Sequence, residues 1–159
     1  MNASKWIAIA LIISSAMACN GSNSKPTQMT RNYSGNWEAV YNLAKDDCFL
    51  VSEEHTGFTD EASINQAGTV ASVNAIGSLL ITDSAEVRED GTLLAEVFSA
   101  GDIFGDGNYC ELQVSVSYDL VDTDVAESLF YTGILCNPGT DFETYCESTG
   151  VGSAERVHS

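Results

Sequence analysis

"YCELQVSVSY", residues 109–118, sets Cys110, Leu112, Val114, Val116 and Tyr118 in alternation with Glu111, Gln113, Ser115 and Ser117. Successive side chains of an extended chain point to opposite faces, so this stretch builds a strand with one apolar and one wetted side. The same period of two recurs along the chain between turn signals, and helical periodicity is scarce. Strands are predicted at 35–43, 61–66, 69–75, 78–83, 92–98, 109–118, 127–136 and 144–157. The second and third are joined at "QAGT", the fourth and fifth by "DSAEVREDG", and the seventh and eighth by a loop carrying "NPGTD", all turn chemistry. Eight antiparallel strands without a crossover helix give an all-β fold, either an up-and-down barrel or a two-sheet sandwich.

Upstream of the strands the chain reads as an address. Lys5 precedes an unbroken apolar run from Trp6 to Ile13, the layout of a secretory signal peptide over residues 1–18. A spanning helix needs about 20 apolar residues, more than this run supplies. Ala16, Met17 and Ala18 fit an ordinary A-x-A cleavage site, while "AMAC" resembles the lipobox of bacterial lipoproteins, departing from it where Ala16 stands in place of the usual leucine. That resemblance implies a Cys19 diacylated through sulfur and acylated on its amine, hence membrane attachment through an N-terminal lipid. A plain secreted protein with an unmodified Cys19 is the alternative. Of the five cysteines, setting Cys19 aside leaves the even set Cys48, Cys110, Cys136 and Cys146, as expected in an oxidising compartment. Residues 19–32 are polar, with glycine and proline, and read as a flexible tether to a single domain at 33–159. Asn20 stands where enterobacterial lipoproteins retained in the inner membrane carry aspartate, so the resemblance implies an outer-membrane address.

Two further stretches, "YSGNWEAVY" and "GSAERV", carry a second resemblance. The Gly35-x-Trp37 motif on the first strand, with a basic residue on the last, is similar to the lipocalin and avidin group of barrels. In that group an arginine or lysine packs over the tryptophan at the closed end. Carried over, Trp37 takes the place of the tryptophan and Arg156 that of its basic partner; otherwise Trp37 is a core aromatic beside a surface arginine. The layout from Tyr33 to Val157, with "DDC", "INQAGTVASV" and cysteines flanking a late hairpin, also resembles small bacterial lipoproteins, which implies an architecture and no activity.

Counting strands alternately up and down sets all four remaining cysteines at the end opposite Trp37 and Arg156. Four cysteines allow three pairings. The expected one joins Cys136 to Cys146 across a hairpin and Cys48 to Cys110. A four-cysteine zinc site lacks any C-x-x-C pair and is not expected.

Six basic residues face 23 acidic ones, a net charge of −17. Such a surface repels nucleic acid and anionic lipid and attracts cationic proteins or divalent ions. The acids are spread along the chain, which equally suits saline water or solubility. His55 lies in an acidic loop and His158 is penultimate, so no nucleophile–His–acid set is evident. Asp102, Asp106 and Asn108 in "DIFGDGNY" lack EF-hand spacing and read as a solvated turn. No catalytic residue and no cofactor is expected. The function these features imply is a membrane-anchored binding module for a small apolar ligand or a partner at the loop-rich mouth of a barrel. The alternative is a proteinaceous inhibitor of a protease or lysozyme, since some bacterial periplasmic inhibitors are small barrels with a G-x-W start and a disulfide, and an acidic mouth would steer a basic enzyme.

Overall fold

A computed structural model describes residues 31–50, 56–78 and 80–158. The expected signal peptide at 1–18, Cys19, most of the expected tether at 19–32, and His55 lie outside the described residues. The domain is all-β. Its strands are β1 (Gly35–Asp46), β2 (Gly57–Ala67), β3 (Val70–Ala75), β4 (Leu80–Val87), β5 (Leu93–Gly101), β6 (Cys110–Asp122), β7 (Val125–Cys136) and β8 (Thr144–Val157). Each pairs antiparallel with its neighbour in sequence, and β8 returns to β1 through a ladder from Asn36↔Val157 to Asp46↔Ser148. The result is a closed up-and-down barrel rather than a sandwich, and closure removes the open sheet edges that invite aggregation.

The alternation seen in 109–118 explains the interior. Val114, Val116 and Tyr118 are buried, as are Trp37, Ala39 and Tyr41 on β1 and Leu93 and Ala95 on β5. Many inward positions are alanine or glycine, so a few aromatic rings fill the space that small neighbours leave. Tyr41 stacks on Phe58 with centroids 5.1 Å apart, and Phe58 meets Phe130 edge-on at 5.1 Å. The β2–β3 turn is the tight one expected at "QAGT": Ala67 pairs with Val70, and Gly68 takes φ +70° at the first central position, as a two-residue hairpin of the II′ kind requires.

Two expectations about strands need correction. β2 begins at Gly57 rather than 61, so Phe58 and Asp60 belong to the wall. β4 runs on to Val87, through "DSAEV" that was read as turn. The cause is a bulge: Val73 pairs with Thr82 but Ala71 with Ala85, which puts Asp83 and Ser84 opposite one residue and shifts the phase of the alternation. The turn proper is residues 88–92, closed by the Arg88 N–H donating to the Thr92 carbonyl at 2.9 Å. β4 and β5 share only two pairs, Glu86↔Leu94 and Val87↔Leu93, beside that turn. This is the shortest ladder of the barrel. Toward the other end β4 is held by β3 and β5 by β6.

The disulfide pairing also differs from expectation. Cys48 is bonded to Cys146 and Cys110 to Cys136, with Cα–Cα distances of 5.1 and 4.0 Å. Register is the reason. Cys110 and Cys136 stand directly opposite on β6 and β7. On β8 the residue opposite Cys136 is Thr144, and Cys146 faces Ile134. Cys146 is thereby offset from Cys136 and lies near the end of β1, where the Asp47 N–H donates to the Glu147 carbonyl at 3.0 Å and brings Cys48 alongside. All four cysteines do lie at the end away from Trp37.

Candidate functional site

The Trp37 end is sealed. Trp37 is 1 % exposed, its Nε1–H donates to the Tyr33 carbonyl at 2.7 Å, and the Arg156 guanidinium carbon lies 4.7 Å from the ring centroid. The guanidinium donates to the carbonyls of Ser34, Asn32 and Thr123 and pairs with Asp124. It therefore ties the entering chain to the β6–β7 turn while covering the indole. Gly35 has φ +135°, and a Cβ there would stand 3.4 Å from Arg156 Nη1, so the glycine of the motif serves both conformation and space. Gly35, Trp37 and Arg156 come together at this end.

The opposite end is open. Long segments connect the strands there, and Leu50, Phe58, Phe104, Leu112, Phe130 and Ile134 line a mainly apolar cavity of about 370 Å³ between them, with Ser78 and Thr132 as polar members. Phe58 and Phe130 set its depth. A second depression, of about 430 Å³, lies on the outer wall over Asn36, Glu38, Glu61, Ser63 and Asn74, where polar strand faces meet solvent. Of these two, the mouth cavity has the more apolar walls, as small-molecule sites do.

Below the mouth lies a polar interior that the sequence reading missed. Ser128 Oγ donates to the Ser117 carbonyl at 2.9 Å and accepts from the Tyr41 hydroxyl at 2.6 Å. Burial, opposed by that Ser128 bond and reinforced by the charge of Asp60, pushes the Tyr41 phenol up to about 12. Tyr118 is raised as well, first by burial and then by Tyr41 and Asp60, and its hydroxyl is buried without a hydrogen-bond partner. Asp60 is 0 % exposed. The signal for it was present in "FTDEASIN", where Asp60 falls in phase with the apolar positions Phe58, Ala62 and Ile64.

The rim is knit by charge. Lys45 Nζ lies 2.7 Å from Glu147 and 2.9 Å from Asp47, and the Tyr145 hydroxyl donates to Glu147 at 2.5 Å. Lys45 and then Tyr145 hold the Glu147 carboxyl below its usual range. Loop tips carry exposed rings and aliphatic chains: Phe49 (76 %), Leu50, Ile76, Phe104, Tyr109, Phe142 (80 %) and Tyr145. Phe49 and Asn137 take positive φ, at 56° and 51°. For a bulky aromatic that conformation is strained, and such strain concentrates at functional loops.

The acidic loop after β5 turns its carboxylates on itself: Asp102 accepts from the N–H groups of Asp106 and Gly107, and Asp106 from Asn108. Among the described residues no group of three or more His, Cys, Asp or Glu side chains is placed to hold a metal ion. His158 is exposed beside Asp124 at the sealed end, far from any nucleophile of the mouth. No protein-family model matches the chain, and no curated protein matches it significantly in sequence.

Proposed function

We propose that the protein is a lipocalin-like lipoprotein of the bacterial outer membrane that binds a small apolar ligand at the barrel mouth, with no chemistry of its own. The observation that carries this reading is the mouth cavity, whose 370 Å³ falls in the range of about 300–1,000 Å³ that small ligands occupy. The approach of the chain supports it too. Residues 31–34 enter at the sealed end, so a lipid on Cys19 tethers the domain by the end that has nothing to bind and leaves the mouth facing away from the anchor. The test is saturable binding of the neutral fluorophore N-phenyl-1-naphthylamine to the tether-free domain. One site per chain is expected, lost in Ile134→Trp, which fills the cavity. A wild-type domain that shows no saturable binding overturns the proposal.

A second reading, a docking module or inhibitor for a cationic protein, is favoured by the crown of exposed rings interleaved with Asp47, Asp102, Asp106, Asp141 and Glu143. Aromatic anchors in an acidic surround suit a basic partner.

A further inference from the structure

Asp60 is the most anomalous residue of the interior. It is fully buried, its Oδ1 accepts one hydrogen bond, from the Gly77 N–H at 2.6 Å, and its Oδ2 is buried with no partner. A carboxylate can accept about four hydrogen bonds, and leaving a buried one without a countercharge is costly. Among the described residues, the lysine and arginine side chains that could neutralise it are placed elsewhere. Arg31 pairs with Asp119, Lys45 with Asp47 and Glu147, and Arg156 with Asp124. Arg88, the fourth basic residue among the described ones, is exposed in the turn at the sealed end.

The surroundings of Asp60 point to the cavity. Its neighbours in β2, Phe58 and Thr59, line the cavity, and so do Gly77, which holds its Oδ1, and Ser78. The Ser78 hydroxyl is itself buried without a partner. At Gly77 a Cβ would stand 2.8 Å from the Thr59 carbonyl oxygen and 3.1 Å from Asp60 Oδ1, so the β3–β4 turn is shaped to close over this carboxylate. Phe58 and the Gly77–Ser78 turn thus belong both to the cavity wall and to the immediate surroundings of this carboxylate.

We infer that the ligand of the mouth is an amphiphilic amine, whose apolar body fills the cavity against Phe58, Phe130, Leu112 and Ile134 while its protonated head displaces the Phe58 edge or the Gly77–Ser78 turn to pair with Asp60 Oδ2 and hydrogen-bond Ser78 Oγ. The inference rests on the ligand-binding reading above and adds the chemical class. Two further features agree with it. The chain's net charge of −17 attracts cations to the mouth, and the faces of Phe58 and Phe130 are suited to a cation in transit.

The experiment is displacement of N-phenyl-1-naphthylamine from the tether-free domain by decylamine, decanol and decanoate, each below its micelle concentration. Decylamine should compete at least tenfold better than decanol, and decanoate worst. Asp60→Asn should keep fluorophore binding and lose the preference; Ser78→Ala should reduce it severalfold. Equal competition by amine and alcohol in the wild type overturns the inference while leaving the ligand-binding reading intact. So does a preference that survives Asp60→Asn, which would assign it to the acidic surface. Absent fluorophore binding removes both. A readout without substitution guards against an Asp60→Asn chain that does not fold. With aspartate labelled at its side-chain carboxyl carbon, decylamine should shift the Asp60 carboxyl resonance, whereas decanol should not; an unshifted Asp60 carboxyl overturns the inference.

Discussion

The two ends of this barrel are built on the same eight strands and follow opposite rules. At the sealed end the strands are joined by the short turns 68–69, 88–92 and 123–124, and Arg156 donates to the carbonyls of Asn32 and Ser34 in the entering chain and of Thr123 in the last of these turns. At the mouth three of the four connections, 47–56, 102–109 and 137–143, are longer and carry exposed aromatic rings, while the fourth, 76–79, is short. Phe49 sits there with positive φ, and Ser78 is left without a partner. One end stabilises the closure of the sheet, and the other keeps unspent interaction capacity. Order at the mouth comes instead from cross-links, because both disulfides and the Lys45–Glu147–Tyr145 network are there. Placing the staples beside the long loops fixes the rim without filling the chamber.

The contrast can be broken most forcefully at the staples. Cys48 and Cys146 are 98 residues apart in sequence and Cys110 and Cys136 are 26 apart. In the chain-entropy description of cross-links, the longer loop contributes about 4.7 kcal/mol and the shorter about 3.5 kcal/mol. Replacing Cys48 and Cys146 by alanine should therefore lower the unfolding free energy in urea by roughly 1 kcal/mol more than replacing Cys110 and Cys136. Peptide mapping without reduction should recover those two links; a Cys136–Cys146 link would refute the register of β7 and β8.

At the sealed end Trp37→Ala removes a buried indole and should cost about 3–5 kcal/mol, whereas Arg156→Ala, which loses the stacked cation, should cost nearer 1–2 kcal/mol. Phe142→Ala, at an exposed loop tip, should leave stability within about 0.5 kcal/mol of wild type. If the loop-tip substitution proves as damaging as the one at Trp37, the division of labour between the ends is wrong.

Alkali probes the layer between them. Tyr41 is raised from about 10 to about 12, chiefly by burial, so between these values the unfolded chain releases a proton that the folded one keeps. Its stability contribution is complete below pH 10 and falls as pH rises toward 12, by about 2–3 kcal/mol for this group alone. Urea midpoints at pH 9 and pH 11.5 should show the loss, and Tyr41→Phe should flatten part of the slope. A profile unchanged by that substitution would locate the alkaline loss elsewhere. The smallest effect is the most diagnostic of the mouth. Phe49→Gly relieves a positive φ and should raise stability by about 1 kcal/mol or leave it unchanged, while weakening any partner that uses the crown.

How much of this was legible in the sequence varies along the chain with the regularity of the alternation. β7 and β8 keep an even period, and their predicted bounds hold to within two residues; β6 starts where expected but runs on to Asp122, past an irregularity between Leu120 and Asp122. The bulge at Asp83–Ser84 hid the second half of β4, because an extra residue reverses which face the following side chains occupy. Gly35, Trp37 and Arg156 were readable because two scarce residue types, tryptophan and arginine, meet at chain ends that a meander brings together. The cysteine links were not, since pairing depends on a register offset of two residues between β7 and β8, and strand boundaries alone do not specify register. The cavity lining escaped for another reason. Phe58, Phe130 and Ile134 look like any core residue in sequence, and only the way the strands bring them together around one cavity makes a site. Asp60 was legible in principle as the one acid in phase with the apolar side of β2.

The short ladder between β4 and β5 bears on time rather than on affinity. With two residue pairs joining these strands at the sealed end, the wall can part toward the mouth without disturbing the other ladders, and local openings of that kind draw on the low end of a protein's stability range. Under the proposed ligand-binding function, strengthening this seam should slow arrival and departure of the ligand by the same factor and leave the equilibrium untouched. A strengthened seam that changes neither rate would place the entry route at the mouth alone.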